Sequence, residues 1–117
     1  MAAATQNPRV RLLHIRDEID GVTAAVKDET FESYCVSYTL RRTAERAVQI
    51  ISEAARAPPN DLIARHPGAP WSAIIGIGNV LRHEYQHIDD RRMWDVLTVH
   101  LAPLRRVVLD MLAGLDA

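Results

Sequence analysis

Cysteine is almost missing from this chain. Cys35 is the only one among 117 residues, so no intrachain disulfide can form and the fold must be held by its core. Set between Tyr34 and Val36 in a periodic apolar run, that thiol reads as a small buried hydrophobe, not a nucleophile. No apolar run approaches the roughly 18 residues that a bilayer span requires. The opening stretch from Met1 to Asn7 has neither a charged leader nor an apolar signal region. A soluble cytoplasmic protein without membrane contact is therefore expected. An excess of charge is missing too: 14 basic against 15 acidic side chains leave a net charge of -1, which excludes strong nonspecific nucleic-acid binding by bulk charge. Local clusters such as Arg41, Arg42 and Arg46, or the pairs Arg91-Arg92 and Arg105-Arg106, could still meet phosphates, although arginines on helices are more often solvated or ion-paired. No stretch alternates as a strand would, and no internal repeat is visible. Proline is concentrated in one connection.

What is present is helical periodicity over one domain, residues 1–117, long enough to bury a core without a staple. Asn7-Pro8 is a cap with proline at the first helical position, and Leu12, Ile15, Ile19, Val22 and Val26 follow at three- and four-residue steps, predicting a first helix over 8–27. Asp28 or Thr30 caps a second, in which Phe31, Tyr34, Cys35 and Tyr38 lead without a break to Ala44, Ala47, Val48, Ile51, Ala54 and Ala55. Pro58-Pro59 stops it, 60–65 has room for a short helix, and His66-Pro67-Gly68-Ala69-Pro70 imposes an extended connection. Trp71 opens the next helix. Asp89 or Asp90 caps the last, whose seam is Met93, Leu97, Leu101, Leu104, Val108, Met111 and Leu115, with Pro103 predicting a kink near Val99 to Leu101. Four long helices, short links and one small connecting helix make an all-α antiparallel bundle.

The chemistry concentrates in the ten residues Gly78-Asn79-Val80-Leu81-Arg82-His83-Glu84-Tyr85-Gln86-His87. Helical spacing puts Trp71, Ile74, Ile77, Gly78, Leu81, Tyr85 and Ile88 on a core face, and Ser72, Gly76, Asn79, His83 and His87 on a polar shelf. Read literally, His83-Glu84-Tyr85-Gln86-His87 is H-E-x-x-H, the pattern of two zinc-binding histidines one turn apart with a glutamate that activates water. A catalytic zinc needs a third protein ligand. No extension of the motif supplies one, and His100, Asp110 or Glu53 would have to be recruited by the fold, so no metal is expected. A plainer reading makes both histidines exposed helix residues and Tyr85 a core phenol. That reading leaves unexplained why Asn79, a poor helix former, stands one turn before His83.

A third reading comes from resemblance. Trp71, then Asn79-x-x-x-His83-x-Tyr85, Ile88-Asp89 and Trp94, preceded by Ser52-Glu53-Ala54-Ala55 and His66-Pro67, resembles the HepT-like toxins of the HEPN superfamily over nearly the whole chain. The resemblance implies an all-helical, dimeric, cytoplasmic endoribonuclease of a toxin-antitoxin system that needs neither metal nor cofactor. It also implies an RNA substrate and a nucleotidyltransferase antitoxin of the MNT type, which transfers AMP to the motif tyrosine, here Tyr85. In the family motif R-x(4-6)-H-x-Y, Asn79 is the polar residue and His83 the histidine. The arginine that holds the scissile phosphate in the family falls on Gly78. Arg82 is the nearest replacement, although an ideal helix turns it about 100° from His83. Arg46 and Glu53 of the second helix are supporting residues on this reading. His83 then acts as general acid or base, since imidazole titrates near neutrality, with Asn79 and Arg82 serving the phosphate. The missing arginine leaves an alternative: a non-catalytic protein whose same helix binds nucleotide or the antitoxin.

Overall fold

The structure is a computed structural model that describes residues 7–56 and 66–116. Helix α1, Pro8–Val26, starts as the sequence predicts: the Asn7 side-chain carbonyl accepts from the Arg9 backbone N–H at 2.9 Å. Leu12, Ile15, Ile19, Val22 and Val26 form its buried stripe. Helix α2, Phe31–Val36, is opened by a reciprocal cap in which Ser33 N–H donates to Thr30 Oγ1 at 3.1 Å and Thr30 N–H to Ser33 Oγ at 2.8 Å.

The unbroken second helix expected from Phe31 to Ala55 is instead two. Ser37 adopts an extended conformation (φ -101°, ψ 108°), and its Oγ accepts from the Leu40 N–H at 3.1 Å, capping helix α3, Tyr38–Ala55. A serine that offers its hydroxyl to the backbone competes with helix continuation, and periodicity does not register that competition. The break also lets α2 place its rings: Tyr34 lies 5.4 Å and Phe31 6.5 Å, centroid to centroid, from Trp94. Tyr34 is fully buried. Burial, reinforced by Glu45 and Asp90, pushes its phenol well above the usual tyrosine range. Cys35, expected in the core, is only half-buried. Desolvation, then Asp90 and Glu32, pushes its thiol upward, which disfavours the thiolate a nucleophile needs.

Helix α4, Trp71–His83, buries Trp71, Ile74, Ile77 and Gly78. Asp89 caps helix α5, Asp90–Asp95, accepting from the Arg91 N–H at 2.9 Å. A π-helical stretch, Val96–His100, then leads into helix α6, Leu101–Asp116. This is the predicted irregularity: Pro103 has no N–H to give the Val99 carbonyl, and the ladder widens so that Leu101 N–H reaches Val96 O. The seam is buried from Met93 to Met111, whereas Leu115 at its end is 45% exposed.

The architecture is all-helical, with no strand among the described residues. Helix α3 lies between α1 and α4, and α1 packs in turn on α6. No described helix is long and apolar enough to cross a membrane. The short helix expected over 60–65, and the Pro58-Pro59 pair expected to stop the second helix, lie outside the described residues. Helices α3 and α4 are in tight contact at Gly78. A Cβ built there would overlap the Cβ and Oγ of Ser52, a buried serine whose hydroxyl donates to the Gln49 carbonyl at 2.9 Å. Glycine is needed here for space alone, since Gly78 does not have a positive φ.

Candidate functional site

That contact brings the carboxy-terminal turn of α3 over the last turn of α4, and the polar residues gather there. Asn79, Arg82 and His83 are at i, i+3 and i+4, so they share a face of α4. Arg82 joins them. Its Nη2 donates to Asn79 Oδ1 at 2.7 Å, its Nε to His83 Nε2 at 3.2 Å, and its Nη1 is ion-paired with Glu53 Oε1. The expectation that Arg82 points away from His83 is thus corrected. The Cβ directions do diverge, but a long, flexible stem with a planar head reaches back to its neighbour. His83 Nε2 therefore acts as an acceptor within the cluster, while the residue itself is exposed.

A residue missed in the sequence completes the cluster. Arg56, at the carboxy-terminal cap of α3, donates through Nη2 to the same Asn79 Oδ1. One neutral amide oxygen therefore receives two guanidinium groups. Counting Glu53, the four polar groups around His83 carry one net positive charge, beside an exposed imidazole. The signal that could have found Arg56 is its spacing, one turn beyond Glu53 at the end of a helix that ends beside Asn79.

Arg46, the other arginine expected to support the site, lies two turns before Glu53 on α3 and donates to Gln49 Oε1 at 3.5 Å. With Arg11, His14 and Glu53 it lines a shallow pocket of about 230 Å³ between α1 and α3. Glu53 is shared by this pocket and the Arg82 cluster.

Tyr85 is not a core phenol. Helix α4 stops at His83, Glu84 takes a non-helical conformation (φ -139°, ψ 45°), and Tyr85–His87 forms a single 3₁₀ turn in which Tyr85 is 72% exposed. The same break separates His83 from His87, removing the shared helical face on which an H-E-x-x-H zinc site depends. Among the described residues no three His, Cys, Asp or Glu side chains form a cluster suited to a metal ion.

These features define an all-helical domain with a cationic, hydrogen-bonded cluster around an exposed histidine at one helix end. Residues 14–111 match the family model described as Ribonuclease HepT-like, and the chain belongs to that family. It is similar to "Putative RNase TTE0752" of Caldanaerobacter subterraneus subsp. tengcongensis, with 30% identity over 107 residues, covering 92% of this chain and 96% of that protein. It is also similar to "Putative RNase MJ1380" of Methanocaldococcus jannaschii, at 28% over 97 residues, 83% of this chain and 89% of the other. A third relative is "Probable ribonuclease HepT" of Thermococcus cleftensis, at 26% over 91 residues, 78% and 83% of the two chains. No solved structure matches the chain.

Proposed function

We propose that this protein is a metal-independent endoribonuclease, the toxin of a toxin-antitoxin pair. The observation that carries the reading is the hydrogen-bonded gathering of Asn79, Arg82 and His83 in a member of a ribonuclease family. In the reaction the ribose 2′-oxygen attacks the adjacent phosphorus while its proton passes to a base. The new O2′–P bond replaces the P–O5′ bond, giving a 2′,3′-cyclic phosphate, and the leaving 5′-oxygen takes a proton from an acid. The Nε2 of His83, once released from the Arg82 Nε–H that it accepts here, takes the role of base in this step. Arg82 and Asn79 stabilise the charge that develops on the phosphate oxygens. One chain offers one motif histidine, so a homodimer with two copies of α4 facing each other supplies both acid and base. A nucleotidyltransferase antitoxin of the MNT type silences the toxin by placing AMP on Tyr85, whose phenol is exposed on its 3₁₀ turn. The added phosphate and base would lie next to His83 and compete with the RNA phosphate for the arginines.

Glycine at position 78, where the family motif has arginine, favours a second reading: a non-catalytic protein that uses this surface to bind nucleotide or the antitoxin. Growth separates the two. Expressed alone, the protein should arrest growth, co-expression of the adjacent nucleotidyltransferase gene should restore it, and His83→Ala should be harmless and unable to cleave RNA while keeping its helicity. Harmless expression of the parent together with tight complex formation supports the binding protein instead. Loss of helicity in His83→Ala would show that the histidine is structural.

A further inference from the structure

Two observations about position 78 belong together. The first is exclusion: Gly78 faces Ser52 so closely that even a Cβ overlaps it, so this packing has no room for an arginine on α4 at the place where the motif puts one. The second is supply. The approach that closes position 78 brings the end of α3 over Asn79, and Arg56 from that end donates to Asn79 Oδ1. The guanidinium missing from α4 thus has a counterpart that arrives from the neighbouring helix.

Resting on the ribonuclease reading above, we propose that Arg56 is a catalytic residue that holds the scissile phosphate, in place of the arginine absent at Gly78. The division of labour between the arginines follows from their partners. Arg82 is already ion-paired with Glu53 and bonded to Asn79, so its guanidinium is held within the site. Arg56 is exposed, and its partner here is a neutral amide oxygen. A phosphate oxygen carries charge and makes the stronger, charge-assisted bond to guanidinium, so RNA draws Arg56 from Asn79. Asn79 is the placeholder that keeps the guanidinium aimed while the site is empty. The planar fork can then take two oxygens of one phosphate, which an ammonium cannot match.

The test compares the parent, Arg56→Ala, Arg56→Lys and a distant control, Arg105→Ala, whose guanidinium pairs with Asp20 of α1. Each is assayed for cleavage of a single-stranded RNA and for binding to single-stranded DNA of the same sequence, which lacks the attacking 2′-hydroxyl. Arg56→Ala should lower kcat about 10²–10³-fold, as expected for losing one preorganised donor to a developing oxyanion. Arg56→Lys should recover only part of it, and Arg105→Ala should match the parent. Removing one phosphate contact should also reduce the slope of log affinity against log salt by about 0.7 in Arg56→Ala, a change that a purely structural role would not produce. Should Arg56→Ala fail to fold, Arg56→Gln carries the same two measurements. If the parent cleaves and His83→Ala does not, but Arg56→Ala cleaves within threefold of the parent, the role of Arg56 is wrong while the ribonuclease reading stands. Lost cleavage with an unchanged salt slope makes Arg56 structural and likewise overturns the proposal. A parent that cleaves no RNA overturns the ribonuclease reading and the role of Arg56 with it.

Discussion

At the scale of single residues, the site depends on a side chain that is absent. Gly78 is buried against Ser52, and the spacing between α3 and α4 at that point sets whether Glu53 and Arg56 reach Arg82 and Asn79. Gly78→Ala should therefore destabilise the fold by about 1–3 kcal/mol, the usual cost of forcing an extra carbon into a packed contact. Chemical denaturation measures this directly. Ser52→Gly removes both atoms that the new Cβ would strike, so the double variant should recover part of the loss, giving the non-additivity expected of residues in contact. Its cleavage should recover with it, because the helix spacing does. A denaturation midpoint for Gly78→Ala equal to the parent's would mean that the helices are not held together at this residue.

At the scale of elements, what the sequence discloses and what it conceals differ in physical kind. The apolar stripe of α1, the Asn7 and Asp89 caps, and the irregularity ahead of Pro103 follow from local rules and can be read directly. The break at Ser37 is concealed because it replaces one good hydrogen-bonding pattern by another without disturbing the apolar period. Within the site, Asn79 and His83 share a helical face and are legible together, whereas the reach of Arg82 back to His83 is not, because it depends on the side-chain conformation. Arg56 comes from 23 residues away, and only the packing of α3 on α4 reveals it. Tyr85 is a mixed case. An ideal helix separates it from His83 by about 160°, so either α4 loosens near its end or Tyr85 reaches the site edge from the core side. The 3₁₀ turn takes the first course and leaves the ring outside the core. Tyr85→Phe should accordingly change stability by no more than about 0.5 kcal/mol, as for an exposed position. It should cleave RNA as the parent does, and it should escape silencing by the nucleotidyltransferase. Mass spectrometry of the co-expressed pair checks the assignment: adenylyl mass on the parent at Tyr85, and none on the variant. Modification at another residue, or full neutralisation of Tyr85→Phe, would move regulation elsewhere.

At the scale of the whole molecule, the bundle leaves its chemistry on an outer surface. Helix α4 turns Trp71, Ile74 and Ile77 into the core and exposes Ser72, Asn79 and His83 on the opposite side. A general acid and a general base are both needed for the proposed cleavage, and each chain has one motif histidine at this surface. A dimer in which the exposed faces of two α4 helices meet would bring the two copies of His83 into one composite site and shield the reaction from water. The small, exposed side chain of Ser72 permits close approach of the two helices at one point of that face. The protein should therefore sediment as a dimer at micromolar concentration, and a stable monomer there would remove the basis for a shared site. Dimerisation alone does not establish sharing, but a mixed dimer does. Tagging parent and His83→Ala chains differently allows the species with one histidine to be isolated. If each chain cleaved by itself, that species would keep half the parent's activity. If one histidine gives a proton while the other takes one, it should keep close to none, although both of its chains fold and bind RNA.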